Sequence, residues 1–373
     1  MGLRRALPVV LAAACASLAA SAWADYQINF QSPKSTLAHE INDLHILIMW
    51  VCVGIFVVVF SAMFYAIWKH RKSVGHQAAQ FHESTTVEII WTAIPFLILI
   101  GMAWPATRLI LEQKDTSNPD VTIKVTGYQW KWEYDYLQDG VKFMSVLATP
   151  REQIENKAPK GANYLLEVDE PMVVPVGKKV RLLLTANDVI HAWWVPALGI
   201  KQDTIPGFIR DAWFTATEPG TYRGQCAELC GKDHGFMPIV VEVKSDADYQ
   251  AWLADKKAKA QAAAADAGKV FSKDELMARG ANVYNANCAS CHMPDGKGLP
   301  GVFPAITGSK VATGAKEGHI KIALMGRPGT AMPAFGPQLN DADIAAVVSY
   351  QRNGLGNNTG DLVQPAEVKA LRK

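Results

Sequence analysis

Apolar residues are unevenly spread along this 373-residue chain, and their spacing divides it into five parts. Residues 1–24 place a short apolar core behind Arg4 and Arg5 and end on Ala22, Trp23 and Ala24, the layout of a cleavable secretory signal. Within 25–115, two long apolar runs predict membrane spans over about 46–68 and 89–108. Roughly 20 apolar residues, at ~1.5 Å each, cross a hydrocarbon core of ~30 Å. From 116 to 245 the spacing shifts toward period two. Segments such as VTIKVTGYQWKWEYDY and PMVVPVGKKVRLLLTAN are rich in β-branched and aromatic residues and punctuated by Gly and Pro. They predict an antiparallel β-sandwich or barrel. Residues 246–269, with ADKKAKAQAAAADAG, are helix-prone but lack an apolar face there, and read as a semi-rigid linker. From 270 to 373 short helical patterns alternate with Gly- and Pro-rich loops, as in a compact, mostly helical module. Asp341 and Asp343 mark one helix start and Gly354 its stop.

The expected chain is thus multidomain: a two-helix transmembrane hairpin, an all-β sandwich and an all-α module. Trp50, Tyr65, Trp68, Trp91 and Trp104 lie near the span ends, where amphipathic rings favour the interface. Lys69, His70, Arg71 and Lys72 between the spans place that loop in the cytoplasm. The mature N-terminus and everything after the second span then face the periplasm of a bacterial inner membrane.

Charge adds little. The formal net charge is +2, and Arg4 and Arg5 supply it, so removing 1–24 leaves 2 − 2 = 0. No bulk attraction to nucleic acid follows.

Six cysteines add more. Cys15 lies in the signal and Cys52 in the first span; Cys226, Cys230, Cys288 and Cys291 form two close pairs. Disulfides are the default in an oxidising compartment. The first pair, however, sits in QCAELCGKDHGFMP, which offers Cys226, Cys230, His234 and Met237 within twelve residues. His191 lies upstream in NDVIHAWWVP, after an apolar strand. Thiolate, thioether and imidazole together form a set that copper favours. Cys₂His₂ zinc is the competing reading, and the methionine argues against it.

VIHAWWVPALGIKQDTIPG and GQCAELCGKDHGFMPIVVE together resemble the binuclear CuA site of cytochrome c oxidase subunit II, and the resemblance runs from the membrane hairpin to about residue 243. It implies a cupredoxin-like sandwich holding two copper ions. Cys226 and Cys230 would bridge them, and His191 and His234 would bind one each. Met237 and the backbone carbonyl of Glu228 would be weak axial ligands. The Glu228 side chain matches a ligand of a magnesium ion shared with the catalytic subunit. TGYQWKWEYDY places Trp130 where electrons enter in that family, and TVEIIWTAIP places Glu88 at a position linked to proton uptake. Glu133, Asp135 and Asp188 are candidates for an acidic docking face.

The second pair lies in Cys288-Ala289-Ser290-Cys291-His292, a Cys-x-x-Cys-His haem-attachment pattern. Two thioethers would fix the porphyrin and His292 would ligate the iron. Met332, in GTAMPAFGPQL, is the expected sixth ligand, a pairing that suits electron transfer. Met325 lies inside a helical pattern and is expected in the core. The module resembles class I cytochrome c from about residue 270 onward.

The expectation is subunit II of a caa3-type oxidase, an electron-input subunit for oxygen reduction in a partner. Its partners would be the haem–copper catalytic subunit I, other oxidase subunits, membrane lipid and a periplasmic donor such as a cytochrome c or a cytochrome bc1 complex. A CuA-containing nitric oxide reductase is the alternative. Nitrous oxide reductase needs a histidine-rich cluster that nine scattered histidines do not supply. A copper assembly protein would need neither haem nor a membrane hairpin.

Overall fold

The computed structural model describes residues 29–372, apart from 76, 78, 79, 81, 328, 329, 331 and 337. The expected signal at 1–24 lies outside the described residues.

Helices α1 (Thr36–Lys69) and α2 (Thr85–Gln113) form the hairpin. Ser35 caps α1 by accepting from the Ala38 amide. Both helices are longer than the spans read from apolar runs. At ~1.5 Å per residue the 34 residues of α1 reach about 50 Å, beyond a ~30 Å hydrocarbon core. Counting uncharged residues finds only the lipid-facing part. The extra turns at the start of α1 and the end of α2 touch protein instead: Leu37 is buried in the sandwich core, Ser35 Oγ donates to the Leu198 carbonyl at 2.7 Å, and Trp213 Nε1 donates to the Glu112 carbonyl at 3.2 Å. The sandwich therefore sits on the hairpin's outer end.

Ten strands build the sandwich: β1 (Val121–Tyr128), β2 (Lys131–Tyr136), β3 (Val141–Ser145), β4 (Met172–Pro175), β5 (Lys179–Ala186), β6 (His191–Val195), β7 (Ile200–Thr204), β8 (Arg210–Thr215), β9 (Gly220–Cys226) and β10 (Pro238–Lys244), with the short helix α3 (Arg151–Ile154) between β3 and β4. One sheet runs β3-β2-β1-β5-β8 and the other β4-β10-β9-β6-β7. The sheets are mixed rather than purely antiparallel, because β1 pairs with β5, and β4 with β10, in parallel. Side-chain alternation records which face is buried, not which way a neighbour runs. In β5 that alternation is strict: Val180, Leu182 and Leu184 are buried and their neighbours are not. Trp132, Tyr134, Tyr136, Trp193 and Phe214 fill the space between the sheets.

Helix α4 (Asp246–Ala265) covers the expected linker, but its first turns are docked. Tyr249 and Leu253 enter the sandwich core, and Trp252 packs on Tyr136 with ring centroids 5.2 Å apart. The last module contains α5 (Lys273–Asn287), α6 (Ala289–His292), α7 (Lys310–Thr313), α8 (Lys316–Met325), α9 (Asp341–Asn353) and α10 (Pro365–Leu371). A capping box between Ser272 and Glu275 starts α5, and Asn340 caps α9. These helices enclose a separate core around Leu276, Tyr284, Ile344, Val348 and Val363.

Candidate metal and haem centres

Two loops at one end of the sandwich converge. One leads into β6 and ends on His191; the other joins β9 to β10 and carries Cys226, Cys230, His234 and Met237. Cys226 closes β9 and Met237 immediately precedes β10, so the strand pair β9–β10 fixes both ends of the second loop. The Cys226 and Cys230 sulfurs are 3.8 Å apart, well beyond the ~2.05 Å of a disulfide. His191 Nδ1 stands 3.9 Å from Cys226 Sγ, and His234 Nδ1 3.4 Å from Cys230 Sγ. Met237 Sδ is 3.6 Å from Cys230 Sγ, and the Glu228 carbonyl accepts from Cys226 Sγ at 3.4 Å. The donor atoms of His191, Cys226 and Cys230 all lie within 4.8 Å of one another. His191, Cys226, Cys230 and Met237 are buried, whereas the Glu228 side chain is exposed.

Electrostatics favour a cation here. The hydrogen bond between the two sulfurs holds Cys226 well below the ordinary thiol range, and the same bond, with burial and the charge on Cys226, pushes Cys230 up. Burial opposes charging His191, but Asp188 and Cys226 outweigh it and raise its pKa. Asp188 Oδ1 accepts from His191 Nε2 at 2.9 Å, and its other oxygen accepts from the Gln129 amide. That bond leaves His191 Nδ1 as the ring's ligating nitrogen, the usual outer-shell arrangement of a metal-bound histidine. Two sulfurs, two imidazoles and a thioether in a buried pocket fit copper by donor chemistry.

Trp130 lies in the β1–β2 turn, where its Nε1 donates to the Cys230 carbonyl at 3.2 Å beside Gln129 Nε2 at 2.8 Å. Gly231, at φ +113°, permits this approach, since a Cβ there would come within 3.2 Å of the indole. Trp132 Nε1 donates to the Met237 carbonyl at 3.2 Å and its ring packs edge-on against His191.

Of the three acids expected on a docking face, Glu133 is not accessible. Glu133 lies on the face of β2 opposite Trp132 and Tyr134, yet it is buried there and paired with Lys142 at 3.0 Å. Asp188 is occupied by His191, and Asp135 is half-buried on β2. The role of Asp188 had a sequence signal, a carboxylate three residues before the histidine on the same turn. Glu88 is exposed in the first turn of α2 and accepts from the Ser84 amide at 3.4 Å, away from the sulfur cluster.

In the last module Cys288 precedes α6 as its N-cap and Cys291 and His292 lie within it, all on one turn: the His292 amide donates to the Cys288 carbonyl at 2.9 Å. Both cysteines are free thiols, and burial pushes Cys288 up to about 12. His292 Nδ1 donates to the Pro304 carbonyl at 2.8 Å, which leaves Nε2 to ligate. Met332 packs, half-buried, against the core that also contains Cys288 and Phe335. Two free thiols, an oriented imidazole and a thioether fit a c-type haem. Met325 is 56% exposed, contrary to the core position expected of it. It is the last residue of α8, whose buried face is His319, Ile320, Ala323 and Leu324.

Comparison with known proteins agrees in all three regions. The family "Cytochrome C oxidase subunit II, transmembrane domain" matches residues 23–109, and the periplasmic domain of the same subunit matches 121–244. "Cytochrome C oxidase, cbb3-type, subunit III" matches 275–350. A probable cytochrome c oxidase subunit 2 of Rickettsia felis is 38% identical over 232 residues, 62% of this chain and 72% of the relative. Cytochrome c oxidase subunit 2 of Cereibacter sphaeroides is 36% identical over 237 residues, 60% of this chain and 78% of the relative. The crystal structure of the periplasmic domain of subunit II of Bradyrhizobium japonicum cytochrome oxidase is 43% identical, with a TM-score of 0.35. It covers 39% of this chain and 98% of that one. Membrane helices, periplasmic sandwich and cytochrome module stand in one polypeptide, and this chain belongs to the cytochrome c oxidase subunit 2 family, extended at its C-terminus by a cytochrome c domain.

Proposed function

We propose that the chain is the electron-input subunit of a caa3-type oxidase: electrons arrive at the C-terminal module, pass to the sulfur cluster and leave to the haem–copper catalytic subunit I, which reduces oxygen. One observation carries this reading. Both cysteine pairs remain free thiols, each with a histidine and a methionine of its own region available as further donors.

Cys226, Cys230, His191, His234, Met237 and the Glu228 carbonyl would hold two copper ions; Cys288, Cys291, His292 and Met332 would hold one covalent haem c. When bound, both groups supply one-electron transfer with coordination closed to substrate. The chain's own residues supply rigidity and dryness. Asp188 fixes the His191 ring, Trp132 ties the Met237 backbone, and the β9–β10 pair holds both ends of the loop. Fixed ligands leave little to rearrange when one electron is added. Trp130, bonded to the Cys230 carbonyl, is the inlet on the side facing the cytochrome module.

The exposed Glu228 carboxylate is available for a magnesium ion shared with subunit I, and Glu88 is a proton-path residue. The same reading puts the chain in a bacterial inner membrane with both soluble domains in the periplasm, fed by a cytochrome c or a cytochrome bc1 complex. The purified complex should consume oxygen with reduced donor and leave nitric oxide untouched. Reduction of nitric oxide without oxygen turnover would transfer the chain to a nitric oxide reductase and reject the oxidase assignment.

A further inference from the structure

Two lysines, one beside Trp130 and one in the copper loop, each have a partner in or beside the haem-attachment segment. Lys131, next to Trp130, is only 6% exposed. Its Nζ donates to Asn287 Oδ1 at 2.9 Å and lies 5.1 Å from the centre of the Phe335 ring. Asn287 immediately precedes Cys288 and is itself held, since its Nδ2 donates to the Val283 carbonyl at 3.1 Å. Lys232 comes from the copper loop, two residues after Cys230. Its Nζ donates to the Ser290 carbonyl at 3.4 Å, one residue before Cys291, and stands 6.0 Å from the Phe303 ring. Each lysine thus reaches a residue beside one haem-attachment cysteine, and each does so from beside the sulfur cluster.

Across the contact the partners are neutral acceptors and aromatic faces; the nearest carboxylate to Lys232 is its own neighbour Asp233, at 3.8 Å within the copper loop. Charge-assisted hydrogen bonds and cation–π contacts are both stronger when removed from water, as at Lys131. The tether agrees with a fixed position. Helix α4 is anchored on the sandwich by Tyr249, Trp252 and Leu253. At its far end, Asp266 pairs with Arg279 of α5 at 3.1 Å, and Arg279 also pairs with Asp343 of α9.

We propose that Lys131 and Lys232 are positioning residues that pin the cytochrome module's haem-attachment segment onto the rim of the copper loop, making the module a docked domain. This inference rests on the haem-to-copper reading above and adds the contacts that fix the distance between the two centres. In the step they serve, the haem iron loses one electron and the copper pair gains it, with no bond or proton exchanged.

The test compares the full chain, assembled with its partner subunits, with Lys131→Met, Lys232→Met, the double variant and Asn287→Ala. Two readouts are taken: hydrogen exchange of segment 287–292, and the rate at which photoreduced haem passes its electron to copper. In Lys131→Met and Asn287→Ala, exchange should rise and transfer should slow by about tenfold, the worth of one lost charge-assisted hydrogen bond. The absorption spectra of both centres should not change. Wild-type exchange and wild-type rate in the double variant would overturn the docking. If Lys131→Met failed to fold, Asn287→Ala and Lys232→Met would decide on the same readouts. A wild-type chain whose haem never reduced copper would instead reject the functional reading, and exchange alone would then judge the docking.

Discussion

Met332 and Met325 are seven residues apart but differ in environment: Met332 packs on the module core, while Met325 projects from the end of α8 into solvent. Met332→Ala should therefore lower the haem midpoint potential and change the reduced spectrum with the haem still covalently attached, and Met325→Ala should leave both unchanged. Spectra and redox titrations of the two variants check this, and the opposite pattern would move the axial ligand. Chemistry at this scale was largely legible in the sequence, because thiol, imidazole and thioether groups declare themselves by type and spacing. Cys226, Cys230, His234 and Met237 lie within one loop, and a single tight turn gathers them. Asp188 was harder to place. The residue is exposed, yet its carboxylate also bonds His191, and only the turn at the start of β6 shows that pairing. Glu133 is on the outer face of its sheet, as its charge suggested, but that face is covered there and the carboxylate is buried against Lys142.

The helices α5 and α9 cross so closely at Gly280 that a Cβ there would lie 2.2 Å from the Ala346 carbonyl oxygen and 2.6 Å from Tyr350 Cβ. Gly280→Ala should destabilise the cytochrome domain by about 1–3 kcal/mol, the usual cost of overpacking a fixed contact. Denaturant titration of the full chain, followed at the haem, would measure it. An unchanged midpoint would mean the crossing relaxes at no cost. Element types followed from periodicity, but their ends and partners did not. The outer turns of α1 and α2 are stabilised by Leu198 and Trp213 of a domain far along the chain, information no local window contains. The parallel pairing of β1 with β5 likewise depends on the route between the sheets. In α4 the composition of the Ala- and Lys-rich stretch concealed how firmly Tyr249, Trp252 and Leu253 hold the preceding turns.

Over the whole molecule, a membrane hairpin carries a sandwich whose cysteine loop meets Trp130 on one side and the cytochrome domain on another. The chain runs from the haem-attachment segment through Asn287 and Lys131 to Trp130 and the Cys230 carbonyl, so the two cysteine pairs lie at opposite ends of one continuous set of contacts. On the proposed function, that continuity would let a cytochrome domain in the same polypeptide act as a built-in donor. The order of reduction in the assembled oxidase tests this account most directly. Stopped-flow mixing with reduced donor should show the haem reduced first and the copper pair second in the wild-type chain. In Cys226→Ser the haem should still be reduced, the mixed-valence copper spectrum should be lost, and oxygen consumption should stop. Copper reduced ahead of haem, or undiminished oxygen consumption in Cys226→Ser, would contradict it.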